Sequence, residues 1–158
     1  TELNAFTPVF RTHEGLRPEL NVQSYTDSAT QAFFARMGQI HNAMLPYWQL
    51  LNKEATEKGY PIIRHPYLVF PKDKNTQDIK YQFMVGDDLL VVPVIKKNKH
   101  KTKGYLPEGA EWVLVFTGQK YIGGSNYEFD APYGYPAVFI RKGSDNELLL
   151  NQIFDQFR

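Results

Sequence analysis

The sequence predicts an α/β unit followed by an all-β domain, and three observations carry that reading. One long helical stripe lies between two short β-rich runs in the first 70 residues. The texture changes near residue 71. From residue 81 onward, short apolar runs alternate with glycine- and proline-bearing turns.

The helix comes first. Phe33, Met37, Ile40, Met44, Tyr47, Trp48 and Leu51 recur at steps of three and four, the spacing of one buried helical face. Ser28 with Gln31 forms a candidate capping box, and Asp27 stands where it can cap as well. Gly59, followed by Pro61, is the expected stop. Pro46 falls inside the pattern and should kink the helix or split it in two, because proline has no N–H and clashes with the preceding turn. On either side, residues 8–13 and 61–70 read as strands. Strand, helix, strand is the order of a βαβ unit, which implies parallel pairing through a right-handed crossover. Two strands cannot sustain a covered parallel sheet alone, so the first 70 residues are expected to belong to a larger α/β body.

The second part reads as an antiparallel sandwich. Candidate strands cover 89–95, 101–106, 111–116, 119–122, 125–129 and 137–141, separated by turns at 86–88, 107–109, 117–118, 123–124 and 132–134. Apolar residues at 148–150, 153, 154 and 157 suggest a short terminal amphipathic helix.

Composition narrows the function classes. Eighteen basic against seventeen acidic residues leave a net charge of +1, too little one-sided charge for generic nucleic-acid binding. No apolar run approaches the roughly 20 residues of a membrane span. Without cysteine there are no disulfides, thiolate metal sites or cysteine nucleophiles, though the compartment is left open. The chain begins Thr1-Glu2-Leu3 rather than with methionine, which suggests a processed or truncated end.

Arg11 and His13 are the leading site candidates. Two apart on an expected strand, they would share one face near its C-terminal end, where α/β folds bind ligands. Arginine offers a fixed fork of donors and histidine a single adjustable one. The plainer alternative is an Arg11 ion pair with Glu14 or Glu19 and a histidine that caps backbone. His41 is expected at the edge of the helical stripe, His65 in a structural role, and His100 in a solvated basic loop. No histidine spacing fits a metal site, and no cofactor-binding motif occurs. Among the carboxylates, Asp87 and Asp88 read as turn residues, and Asp130 lies beside the turn at Pro132. No acid–base pair stands out. Tyr121, Tyr127, Phe129, Tyr133 and Tyr135 could stack sugars, although aromatic residues in a small sandwich are more often core.

The motifs also resemble a known family. NAFTPVFRTHEG (4–15), with Arg17, Pro18 and Asn21, is similar to the segment after the catalytic acid in glycoside hydrolase family 31. The likeness continues through residues 41–71, YQFMVGDDLLVVPVI (81–95), GYLPEGAEWV (104–113) and APYGYPAVFIRKGS (131–144), in the family's order. The RTHEG form resembles the bacterial-type α-glucosidase and sulfoquinovosidase branch. The resemblance implies a retaining exo-acting α-glycosidase. Residues 1–71 would be the C-terminal strands and helix of a (β/α)8 barrel, and 72–158 the proximal β-sandwich domain. Arg11 and His13 would match the family's RxH element, which binds the cleaved sugar, with Glu14 in reach of Arg11. Neither catalytic aspartate motif occurs in this sequence. The resemblance therefore implies that both lie on an upstream segment or partner chain, and that this chain alone does not hydrolyse the α-glycoside substrate. The alternative is a non-catalytic carbohydrate-binding or protein-interaction module derived from a glycosidase. Met37, Met44 and Trp48 should discriminate between the two: a module that stands alone must cover that face itself or by self-association.

Overall fold

The computed structural model describes residues 2–13, 15–96 and 99–158. It opens with a single helical turn, α1 (Glu2–Ala5); from there to residue 27 the described residues are irregular apart from a 3₁₀ turn at Pro18–Leu20. The strand expected over 8–13 does not form. The segment is β-rich in sequence, but a strand exists only as one member of a hydrogen-bonded ladder, and among the described residues no strand pairs with it.

The long helical pattern becomes two helices, α2 (Ser28–Ala43) and α3 (Leu45–Lys58), broken at Met44, with Pro46 in the first turn of α3. Proline is tolerated there because N–H groups in the first turn have no intrahelical acceptor. Asp27, not the Ser28–Gln31 pair, supplies the cap of α2. Its Oδ1 accepts the Thr30 N–H at 2.8 Å and its Oδ2 the Thr30 hydroxyl at 2.8 Å. These bonds hold the Asp27 carboxyl below its ordinary pKa. Gly59 ends α3 with φ of +74°, a left-handed conformation that costs glycine little, and its N–H reaches the Ala55 carbonyl at 3.0 Å.

The second expected strand, 61–70, shrinks to β1 (Ile63–Arg64), followed by the helical turn α4 (Pro66–Val69). Pro66 cannot donate to a ladder but suits the first helical position, and His65 caps it. Then come β2 (Phe83–Val85), β3 (Leu89–Val92), β4 (Lys101–Leu106), β5 (Glu111–Leu114), β6 (Lys120–Ile122), β7 (Ser125–Asp130), β8 (Ala137–Arg141) and α5 (Glu147–Asp155). Six strands form one sheet in the order β1-β2-β3-β8-β5-β6, and β4 pairs with β7 in a second. Every pairing among the described residues is antiparallel. The expected parallel βαβ unit is therefore corrected: β1 lies against β2, Ile63 opposite Val85, and residues 8–13 take no part in a sheet.

Period-two alternation sorts the central strands into two cores. Leu89, Val91, Val138 and Ile140 point to the helices, where they meet Met37, Ile40, Met44, Tyr47, Leu51 and α5. Leu90, Val92, Ala137 and Phe139 point the other way, onto Leu106 and Phe129 of the β4–β7 sheet. With both faces covered, the unbroken Leu-Leu-Val-Val run of β3 is what a central strand requires. The result is three layers: helices, six-stranded sheet, two-stranded sheet. Met37, Met44 and Trp48 are covered within the chain, Trp48 at 8% exposure being the least buried of the three.

Polar side chains stitch the layers together. The Gln82 amide pairs with the backbone of Tyr105 as a neighbouring strand would: its Nε2 donates to the Tyr105 carbonyl at 2.6 Å, and its Oε1 accepts the Tyr105 N–H at 2.9 Å. Buried Asp88 accepts from the Asn146 amide at 2.9 Å, and its Oδ2 lies 2.9 Å from the Tyr47 hydroxyl, which is also 2.8 Å from the Val85 carbonyl. Burial, reinforced by the Asp88 charge, pushes the Tyr47 hydroxyl pKa far above its ordinary value, so it remains a donor. Gly86, with φ of +57°, permits this approach. A Cβ there would lie 2.5 Å from both the Tyr47 hydroxyl and a Leu51 methyl.

Candidate functional site

Arg11 and His13 lie on the irregular segment after α1, both exposed and two residues apart. The segment is fixed by the residue just before them. The Phe10 ring packs 5.1 Å from Phe34 and 5.4 Å from His41, centroid to centroid. His41 is a strut rather than a ligand. Its Nδ1 lies 3.3 Å from the Ala5 carbonyl oxygen, its ring is 5.8 Å from that of Trp48, and the Trp48 indole donates to the His41 carbonyl at 3.3 Å. Further on, the Asn21 amide donates to the Gly15 carbonyl at 3.3 Å, closing a loop behind the pair. Glu14, the residue expected within reach of Arg11, lies outside the described residues. Arginine and histidine side chains at this end of the chain are residue types suited to hydroxyl or anionic acceptors.

Several of the described carboxylates already hold structure. Glu54 and Asp87 grip the Arg64 guanidinium, whose Nε also donates to the Pro61 carbonyl at 2.8 Å. The Arg64 hydrogen bond holds Glu54 below its ordinary pKa. Asp73 accepts from the Tyr105 hydroxyl at 2.8 Å, the Glu108 N–H at 2.9 Å and the Asn75 N–H at 3.1 Å. Burial pushes its pKa up, but these bonds outweigh burial and the net shift is downward. Asp88 is enclosed as described. Among the described residues, no group of three or more histidines and carboxylates is placed to hold a metal ion.

His65 takes the structural role foreseen for it. Its Nε2 lies 2.7 Å from the Ile79 carbonyl oxygen and its Nδ1 accepts the Tyr67 N–H at 3.2 Å, contacts that one neutral tautomer, with hydrogen on Nε2, satisfies together. Sequence reasoning did not single out Arg36 or Glu2. Arg36 donates through Nε to the Gly134 carbonyl at 3.0 Å and through a terminal nitrogen to the Phe157 carbonyl at 3.1 Å. The Glu2 carboxylate accepts the Gly134 N–H at 2.7 Å, while burial pushes its pKa up. Together they hold the 132–136 loop onto α1 and α2. Their partners are more than 90 residues away, and no local pattern announces such contacts.

Comparison with known proteins agrees with this architecture. Residues 59–144, just over half the chain, match the family model described as the glycosyl hydrolase family 31 C-terminal domain. The chain is 39% identical over 153 residues to a sulfoquinovosidase of Agrobacterium fabrum, covering 97% of this chain and 23% of that protein. It is 31% identical to an α-glucosidase of Schizosaccharomyces pombe, covering 90% of this chain and 15% of that protein. Among solved structures, a family 31 sulfoquinovosidase from E. rectale, in complex with an aza-sugar inhibitor, superposes with a TM-score of 0.92 at 35% identity over 99% of this chain and 23% of its own. The chain thus spans less than a quarter of the length of these relatives. The antiparallel sheets, the covered helices and these matches together place the chain in glycoside hydrolase family 31, as a bearer of its C-terminal domain.

Proposed function

We propose that this chain is the C-terminal portion of a retaining, exo-acting α-glycosidase, in which Arg11 and His13 bind the sugar to be cleaved. The catalytic aspartates are supplied by an upstream segment or a partner chain. Retaining hydrolysis needs two carboxyl groups about 5–5.5 Å apart, one attacking and one protonating, and Glu54, Asp73, Asp87 and Asp88 are engaged in structural contacts. In this reading residues 1–71 complete a (β/α)8 barrel and 72–158 form the proximal sandwich. The β1–β2 pairing then joins the two by hydrogen bonds as well as by the chain itself.

One observation carries the reading. Between residues 9 and 25 the chain exposes Val9, Leu16, Leu20, Val22 and Tyr25, with Leu16 at 100%. A run of that apolar content, in the same segment as Arg11 and His13, suits an edge to be covered by more polypeptide. The coverage of under a quarter of the relatives' length points the same way. Against it stands the burial of Met37, Met44 and Trp48 inside the chain, which favours the second reading, a carbohydrate-binding or interaction module that folds alone.

Native mass spectrometry of the protein from its source separates them. A stoichiometric polypeptide carrying the rest of a barrel, or a longer chain containing this one, supports the glycosidase. A lone 18.3 kDa species supports the module. In the complete enzyme, His13→Ala should lower kcat/KM by about 10- to 100-fold, the loss of roughly 1.4–2.7 kcal/mol of polar contact. An unchanged kcat/KM in a folded variant removes His13 from the sugar site.

A further inference from the structure

A second surface, remote in sequence from Arg11 and His13, has the chemistry of a ligand site. A groove of about 560 Å³ opens between residues 114–121 and 128–136, bordered by Phe116, Gln119, Tyr121, Glu128, Asp130 and Tyr135. Its volume falls within the ~300–1,000 Å³ of small-molecule sites. We propose that this groove binds a neutral pyranose, with Tyr135 as the stacking platform and Glu128 and Asp130 as hydroxyl acceptors. The proposal does not depend on the glycosidase reading.

The platform is built in advance. Tyr135 is 42% exposed, yet its ring is held firmly. The Arg36 guanidinium carbon sits 4.1 Å from the ring centroid, and Phe116 meets it edge-on at 5.6 Å and 83°. Arg36 cannot drift, because it is bonded to the Gly134 and Phe157 carbonyls. Within the loop, the Tyr135 N–H donates to the Pro132 carbonyl at 2.8 Å, and Tyr133 stacks on Phe33 at 3.9 Å. A ring fixed this way adds contact area without an ordering cost at binding. Arg36 packing alone would explain the position of Tyr135; the groove also carries two carboxylates on β7.

Those carboxylates select the ligand. Glu128 and Asp130 are two apart on β7 and face the same way. Lys101, opposite on β4, already lies 3.4 Å from Asp130 and 3.9 Å from Glu128, and Lys103 lies 3.8 Å from Glu128. Their charge is therefore compensated from outside the groove, which weakens the case for a cationic ligand. None of the described residues bordering the groove is a lysine or arginine, which weakens the case for an anion. What remains is a groove bordered by oxygen acceptors, an amide and aromatic rings. A pyranose matches both kinds of group. Its C–H face carries partial positive charge toward the electron-rich ring, and its hydroxyl rim donates to carboxylates.

The test is an NMR amide-shift titration of the full chain with four neutral oligosaccharides: maltohexaose, cellohexaose, mannohexaose and galactotetraose. At least one should move amides in 116–121 and 128–136 with a Kd of about 0.1–5 mM, a weak affinity of a shallow site. Tyr135→Ala should weaken that binding about tenfold or more, as loss of a central aromatic anchor does. Asp130→Asn, at a side chain 81% exposed and so safe for the fold, should weaken it about threefold or more. Lys53→Ala, on the far helix, serves as the unaffected control. The proposal fails if no sugar moves these amides at about 20 mM, if the shifts map to residues 9–16 instead, or if both variants bind as well as the parent. It also fails if sulfate or tetramethylammonium ions bind there more tightly than every sugar.

Discussion

Residues 8–13 and 89–92 both read as strands in the sequence, yet one stays irregular and mostly exposed while the other is the centre of the sheet. Composition alone does not account for the difference. Partners do: β3 has β2 on one side and β8 on the other, with a core against each face, whereas the N-terminal segment touches the body mainly through Phe10. The contrast teaches that a β-run is only an offer, accepted where a ladder and a covered face both exist. It also marks which part of this chain is complete in itself.

Substitutions should respect that contrast. The largest effect is expected for Phe139→Ala. Phe139 is fully buried between the sheets, 4.6 Å from Phe129 and 5.7 Å from Tyr121, and its loss should cost about 3–5 kcal/mol in urea unfolding. A cost under about 1 kcal/mol would mean that the two sheets are not packed as described. Tyr47→Phe removes a donor from buried Asp88 and should cost about 1–3 kcal/mol, read from the same transition.

Asp73→Asn probes the seam by pH. The folded carboxyl titrates below the unfolded one, so its stabilising effect is fully present above the unfolded pKa of 3.8 and is lost as pH falls through the lower, folded value. The variant should therefore lose stability at neutral pH and show a shallower decline in acid than the parent. Parallel acid-unfolding curves would remove Asp73 from that role. The smallest effect belongs to the other region: Leu16→Ser, at a fully exposed side chain, should change stability by less than about 0.5 kcal/mol. A larger loss in the isolated chain would show that the segment is already covered, and the comparison would have to be redrawn.

Much of this was legible beforehand where the cause is local. Pro46 splits the helix and Gly59 ends it, and β4, β7 and β8 lie where alternation and turns put them. The failures have a shared cause. Strand pairing over 8–13, the shortening of 61–70 by Pro66, and the three-residue β2 all depend on what lies across space or on a signal too short to read. The pairing of Gln82 with Tyr105 and the hold of Arg36 on Gly134 are of the same kind. At the site, the spacing of Arg11 and His13 was visible, and so were the aromatic residues near 121–135. That Asp88 is a buried hub rather than a simple turn residue was not, since its partners Tyr47 and Asn146 lie 41 and 58 residues away.

That hub has a consequence for how the molecule comes apart. One carboxylate is shared by α3, by the β2–β3 turn that carries it, and by the residue that begins α5. None of the three can leave without stranding the acceptor that the others still face. A protease or a denaturant should therefore find no stepwise peeling of the helical layer, but one opening in which α3, the β2–β3 hairpin and α5 are released together.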